Sequence, residues 1–152
     1  MKLVTLKDFK IFLAKTPEVL IDNIKIKLGE SHIINRFTPP KDYKYESFTV
    51  WSFPKRGDWA THIGNFRGNW SPYIPRNLIS HYTRPNDWIL DPMVGSGTTL
   101  VECKLMRRNG IGVDINEKAV MIAHNRLNFT YKPKNSPSKI KKIKLYLGDA
   151  RN

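Results

Sequence analysis

One stretch, Trp88-Ile89-Leu90-Asp91-Pro92-Met93-Val94-Gly95-Ser96-Gly97-Thr98-Thr99, constrains this chain more than any other. Its three leading apolar residues suit a short buried strand. Asp91 stands before a proline, which biases it away from helical backbone, so the strand stops there. Gly95 and Gly97 let the backbone turn sharply and come close to a ligand. Thr99-Leu100-Val101-Glu102 matches a capping box, in which hydroxyl and carboxylate each satisfy a free backbone N–H, and so predicts a helix start.

The pattern then repeats. The helix is predicted to end in Arg107-Arg108-Asn109, where cations suit the negative helix end, with Gly110 closing it. Ile111-Gly112-Val113-Asp114 reads as a second strand. Asn116 caps a second helix with Val120, Ala123 and Leu127 on one face. Ile143 to Leu147 is a third strand, and Gly148-Asp149-Ala150 sits at its carboxyl end. Strand, helix, strand, helix, strand implies an α/β fold with a parallel sheet and right-handed crossovers.

Upstream the signals are weaker. Leu6, Phe9 and Leu13 recur at helical spacing. Thr16-Pro17-Glu18 resembles a helix start, with Val19, Leu20, Ile24 and Leu28 as the buried face and Gly29 as the stop. Residues 1–45 are therefore expected to be an N-terminal helical segment. From Phe37 to Ser71 the chain is rich in Pro, Gly and aromatics without a sustained period, too long for an idle loop. An ordered arm or a substrate-binding loop is expected there. A short helix is expected from Pro75 to Tyr82, with Ile74, Leu78 and Ile79 turned inward.

The pocket chemistry follows from these positions. The free N–H groups at the start of a helix face the same point as the glycine turn. Asp114, at the end of the second strand, can accept both hydroxyls of a ribose. Asp149 ends the third strand, beside where an adenine would lie. An adenosine-containing ligand fits this order. The dinucleotide fingerprint is incomplete, because Leu100 stands where its third glycine would be. The Gly-Lys-Ser/Thr of phosphate-loop proteins is absent.

Lys plus Arg number 26 against 13 Asp plus Glu, a formal charge of +13, which favours a polyanionic partner such as nucleic acid. A single cysteine excludes an internal disulfide and fits a reducing, cytoplasmic setting. No run approaches the ~20 apolar residues of a membrane span, so no membrane partner is expected.

Asp91-Pro-Met-Val-Gly-Ser-Gly-Thr-Thr resembles the cofactor motif of S-adenosylmethionine-dependent DNA amino-methyltransferases, which methylate N4 of cytosine or N6 of adenine. Thr61-His-Ile-Gly-Asn-Phe-Arg-Gly-Asn-Trp-Ser-Pro-Tyr-Ile-Pro75 is similar to the segment that lines the methionine end of the cofactor in that family. The resemblance covers residues 46–152 and implies S-adenosylmethionine as cofactor and DNA as partner. It implies that Asn69, Trp70, Ser71 and Pro72 border the methionyl part. Asp91, beside Pro92, would meet its amino group. Gly95 and Gly97 would underlie the cofactor, with Ser96, Thr98 and Thr99 near its carboxylate. Asp114, followed by Ile115, would hold the ribose, and Asp149, with Ala150, the adenine amino group. Packing or capping explains Trp70, Thr98 and Thr99, each taken alone, equally well.

The family also needs an Asp/Asn/Ser-Pro-Pro-Tyr/Phe motif. The one Pro-Pro here, in Thr38-Pro39-Pro40-Lys41, lacks both the polar residue and the aromatic. The resemblance thus implies a Rossmann-like half-sheet of order 3-2-1, incomplete against the family's seven strands. Its strand at 88–90 would be an open apolar edge. No catalytic residue is assigned, and a second polypeptide is expected to carry the catalytic half. Alternatives are an RNA guanine-N2 methyltransferase fragment and a non-catalytic cofactor- or DNA-binding subunit.

Other residues are ordinary at this level. Cys103 lies inside a helix and suits packing. His32, His62, His81 and His124 have no metal-ligand spacing, although His62 stands in the cofactor-side segment. Arg56 and Arg67, among Trp51, Trp59, Phe66 and Trp70, could meet phosphates or bases. The lysines at 132, 134, 139, 141, 142 and 144 suit either a solvated connection or a nucleic-acid contact.

Overall fold

A computed structural model describes residues 1–29, 31–131 and 142–152. Most of the lysine-rich connection at 131–142 therefore lies outside the described residues. A four-stranded sheet has the order β1-β6-β5-β4, where β1 is Lys2–Val4, β4 Trp88–Asp91, β5 Asn109–Asp114 and β6 Ile143–Leu147. Strands β4, β5 and β6 run parallel, as the alternation of strands and helices predicts, and β1 adds antiparallel to β6. That outer strand escapes a sequence reading because it is only three residues long. Helix α3 (Thr98–Leu105) links β4 to β5, and α4 (Glu117–Leu127) links β5 towards β6. Asn116 caps α4 by accepting from the Lys118 amide at 3.0 Å.

The N-terminal segment departs from expectation. Helix α1 (Leu6–Lys15) forms, with Thr5 and Asp8 in a reciprocal capping box. The second helix expected from Thr16 to Leu28 is instead a hairpin, β2 (Glu18–Ile21) and β3 (Ile24–Lys27). Asp22 and Asn23 make its turn, both with positive φ (47° and 64°), as a two-residue hairpin loop requires. Val19 pairs with Ile26, and both are buried against α1 and the main core. A short apolar run fits either period, and here the turn residues decide.

Two further expectations change. Gly110 does not stop α3; it lies within β5, and Met106 is the helix C-cap. In α2 (Tyr73–Tyr82), Ile79 is buried as expected, but Leu78 faces outward and Asn77 inward. Asn77 is buried because it pairs twice with the Glu46 backbone, donating to its carbonyl and accepting from its amide, each at 2.9 Å. That pair anchors the arm at 37–71, which has no helix or strand. The arm is held by an aromatic cluster of Trp59, Tyr73, Phe53 and Tyr43 against Val101, Leu105 and Phe129.

Registers sort the sheet into two faces. Ile89, Gly110, Gly112, Leu145 and Val4 share the face covered by helices. Gly112 is small for a reason: a Cβ there would meet Leu100 Cδ1 and Val94 Cγ2 at 2.7 Å each. Trp88, Leu90, Ile111, Lys144, Tyr146 and Leu3 share the opposite face. That face is open along β4, with Trp88 50% and Leu90 62% exposed and Lys144 over the Trp88 ring at 5.7 Å, whereas Val113 on the same face is buried.

Gly112→Ala is expected to overpack this contact and cost about 1–3 kcal/mol. Urea unfolding should show a lower midpoint with an unchanged slope.

Candidate functional site

The carboxyl ends of β4 and β5 and the turn between β4 and α3 build the site. Asp91 ends β4 and accepts from the Met93 amide at 3.2 Å. The Val94 amide donates to the Val113 carbonyl at 2.9 Å, tying the turn to β5. Gly95 (φ +50°) and Gly97 (φ +86°) take left-handed backbone, and a Cβ on Gly97 would also press on Ala123 of α4 at 3.0 Å. The Thr99–Glu102 capping box is not formed. Gly97 is the N-cap, without a side-chain cap, so the first amides of α3 remain for another acceptor.

Asp114 buttresses the turn. One carboxylate oxygen accepts from the Gly95 amide and the other from the Asn116 amide, each at 2.9 Å. Its carboxylate is thereby fixed at the end of β5, with lone pairs left over for hydroxyl donors.

Between this turn and the segment 66–70 lies a cleft of about 340 Å³. Phe66, Gly68, Asn69 and Trp70 form one wall; Asp91, Met93, Val94, Gly95, Ser96 and Thr98 form the other. A Cβ on Gly95 would stand 3.3 Å from the Phe66 ring, so the glycine keeps the walls close. The walls are joined by one direct bond, from the Thr98 hydroxyl to Asn69 Oδ1 at 2.5 Å.

Of the residues singled out in the sequence, Asn69, Trp70, Asp91, Gly95, Ser96 and Thr98 line this cleft together. The others have separate places. Ser71 donates to the Arg56 carbonyl at 2.7 Å, and Pro72 is the buried N-cap of α2. Pro92 is exposed within the turn and Gly97 lies behind it. Thr99 is buried, and its hydroxyl has no partner among the described residues. Ile115 projects beyond β5, 76% exposed. Asp149 is bound by Arg151, whose guanidinium reaches both carboxylate oxygens at 2.6–3.1 Å, and Ala150 is exposed beside it. The Arg151 hydrogen bonds hold the Asp149 carboxyl below the usual carboxylate range.

Sequence spacing misassigns one central residue. Glu102 is fully buried in α3 and gathers three donors. Oε1 accepts from Trp59 Nε1 at 2.8 Å and bonds His62 Nε2 at 2.7 Å, while Oε2 accepts from Arg76 Nη1 at 2.6 Å. His62, in the cofactor-side segment, is thus an internal strut and does not line the cleft. Burial lowers the His62 pKa, outweighing the opposing effect of its hydrogen bond to Glu102. Burial likewise pushes the Cys103 thiol up to about 12, leaving it an inert packing group.

Parallel strands, a glycine turn and a cleft at the strand ends define an α/β domain whose cleft lies where such sheets hold ligands. The sequence profile of the DNA methylase family matches residues 3–125, so the chain belongs to that family. The match reaches into the N-terminal segment, beyond the span carried by the motifs. Type II methyltransferase M.HpaI of Haemophilus parainfluenzae is 50% identical over 86 residues, which is 52% of this chain and 25% of the relative. Type II methyltransferase M2.LlaDCHI of Lactococcus lactis subsp. cremoris is 48% identical over 56 residues, 37% of this chain and 21% of the relative. Type II methyltransferase M.MjaII of Methanocaldococcus jannaschii is 33% identical over 99 residues, 65% and 18%. The chain thus spans a quarter or less of the length of these three relatives. Among solved structures, the M1.HpyAVI–SAM complex aligns with a TM-score of 0.44 at 23% identity, covering 83% of this chain and 72% of that one. No helix among the described residues is long and apolar enough to cross a membrane.

Glu102→Ala is expected to cost about 3–5 kcal/mol in urea unfolding, because it strands the half-buried Arg76 guanidinium and two further donors. Glu102→Gln, which keeps one acceptor, should cost less. His62 and His124 both have pKa values lowered, chiefly by burial. Unfolded imidazoles take up protons below about pH 6.5, and the folded ones resist until lower pH. Stability is therefore full above about pH 6.5 and declines as pH falls below it. His124→Gln should flatten that decline below about pH 6.5.

Proposed function

We propose that this chain is the S-adenosylmethionine-binding part of a site-specific DNA methyltransferase that modifies an exocyclic amino group, N4 of cytosine or N6 of adenine. The observation that carries the reading is the cleft between the glycine turn and Asn69-Trp70, backed by the anchored Asp114 carboxylate. Membership of the DNA methylase family supports it. Bound S-adenosylmethionine supplies an electrophilic methyl group on a sulfonium centre. The chain's own residues bind and orient. Asn69 and Trp70, backed by Ser71 and Pro72, border the methionyl part. Asp91, with Pro92 holding the turn, takes the amino group. Ser96, Thr98 and Thr99 serve the carboxylate, and Gly95 and Gly97 let the backbone lie close. Asp114 takes the ribose hydroxyls beside the exposed Ile115. Asp149, with Ala150, serves the adenine amino group once Arg151 releases its carboxylate.

The same reading gives the open sheet face and the β4 edge a role. Parallel sheets are ordinarily covered on both faces. Here Trp88, Leu90 and Leu3 stand uncovered, and β4 pairs only with β5 among the described residues. We assign to further protein, on a second polypeptide or in additional sequence, the cover for that face, the strands beyond β4 and the catalytic Pro-Pro motif. The excess of basic residues suits contact with the DNA backbone.

Calorimetric titration with S-adenosylmethionine tests the cofactor assignment. Saturable binding is expected, weakened at least about tenfold, or ~1.4 kcal/mol, by Asp114→Asn. A flat titration of the folded wild-type chain would overturn it. Affinity for duplex DNA should fall with salt at a log–log slope of about −0.9 per phosphate contacted.

A further inference from the structure

Beneath the glycine turn lies a buried cation. Arg126, in the last turn of α4, is 4% exposed, and no carboxylate pairs with it among the described residues. Nη1 donates to Ser96 Oγ at 2.5 Å and Nη2 to Asn65 Oδ1 at 2.7 Å. Its backbone carbonyl accepts from the Thr61 hydroxyl at 2.7 Å. Burial draws its pKa down to about 10, with the charge of Arg56 adding to the effect. Arg56 also has no carboxylate partner among the described residues and donates to the carbonyls of Gly57 and Trp70. Two arginines therefore bond residues of the cleft's two walls, Trp70 and Ser96, with no carboxylate paired to either among the described residues.

A serine hydroxyl has one proton and two lone pairs, and a guanidinium can only donate. Arg126 therefore occupies a lone pair of Ser96 and leaves the serine proton to point elsewhere. Ser96 is bonded to no acceptor among the described residues, and it lines the cleft. Its neighbour is set differently: the Thr98 proton is already committed to Asn69. Ser96 is thus held as a donor, with a positive charge directly behind its oxygen. A hydrogen bond from such a group to an anion is charge-assisted in effect and gains from the low local dielectric.

We propose that Arg126 is a positioning residue that makes the cleft selective for a ligand bearing a carboxylate, acting through Ser96, whose hydroxyl proton it turns into the cleft. The inference rests on the cofactor reading above, in which that group is the methionyl carboxylate of S-adenosylmethionine. It adds that the preference is set from outside the glycine motif, by a side chain that does not line the cleft. Through Asn65 the same guanidinium also holds the start of the opposite wall, which continues to Phe66 and Asn69.

The test compares S-adenosylmethionine with decarboxylated S-adenosylmethionine, which keeps the adenosine, sulfonium and amine but lacks the carboxylate. Calorimetric affinities for both are measured on the folded chain. The wild type should prefer the carboxylate-bearing ligand by about tenfold or more. Arg126→Gln and Ser96→Ala should each bring that ratio close to one while largely sparing the decarboxylated ligand, and Arg126→Lys should restore part of it. Equal weakening of both ligands by Arg126→Gln would make the arginine merely structural and overturn the proposal. If Arg126→Gln does not fold, Ser96→Ala decides: an unchanged ratio overturns the proposal, and a collapsed ratio supports it. A wild type that binds both ligands equally overturns this proposal and leaves the cofactor reading standing. A wild type that binds neither removes the cofactor reading itself.

Discussion

The buried carboxylate of Glu102 is the contact on which the shape of the site depends. It stands on the helix that follows the glycine turn, and its donors come from the aromatic arm (Trp59 and His62) and from α2 (Arg76). The wall Phe66–Trp70 lies between those two attachments in sequence. Its position relative to the turn is therefore set by one charged side chain that has lost all its water. Such a group is costly unless fully bonded. With Trp59 Nε1, His62 and Arg76 in place both oxygens are satisfied, and the geometry is held to the arrangement that satisfies them.

A second constraint works from the sheet. Gly110 and Gly112 in β5 give up side chains so that Leu100 can lie against the strand. Close approach of α3 to the sheet brings Gly97 against Ala123 of α4 and lets Arg126 reach Ser96. Packing on the covered face of the sheet thus fixes the turn from below, while Asp114 fixes it from the strand ends. Each wall of the cleft is tied to the same helix pair, α3 and α4, by polar bonds.

The parts of this arrangement that were legible in the sequence are those carried by near neighbours. Asp91 before Pro92, the paired glycines and the Asn116 cap are local instructions, and the strand–turn–helix order follows from them. Where a local rule met a long-range competitor, the rule lost. Thr99 and Glu102 have capping-box spacing, yet Glu102 finds stronger donors some 26–43 residues away. Thr16-Pro17-Glu18 looks like a helix start, yet Asp22 and Asn23 turn the chain into a hairpin whose Val19 and Ile26 fill the core. The three-residue β1 has no periodicity to read, and only its pairing with β6 makes it a strand.

The sequence by itself determined the parallel order of β4, β5 and β6, the glycine turn and the carboxylate at the end of β5. These rest on backbone preferences acting over a few residues. Tertiary structure alone decided that Asp149 is closed by Arg151, that Glu102 gathers Trp59, His62 and Arg76, and that an arginine from α4 stands behind Ser96 with no carboxylate partner among the described residues. Those outcomes depend on which buried polar groups find partners, and that is settled only when distant segments meet in a space without water.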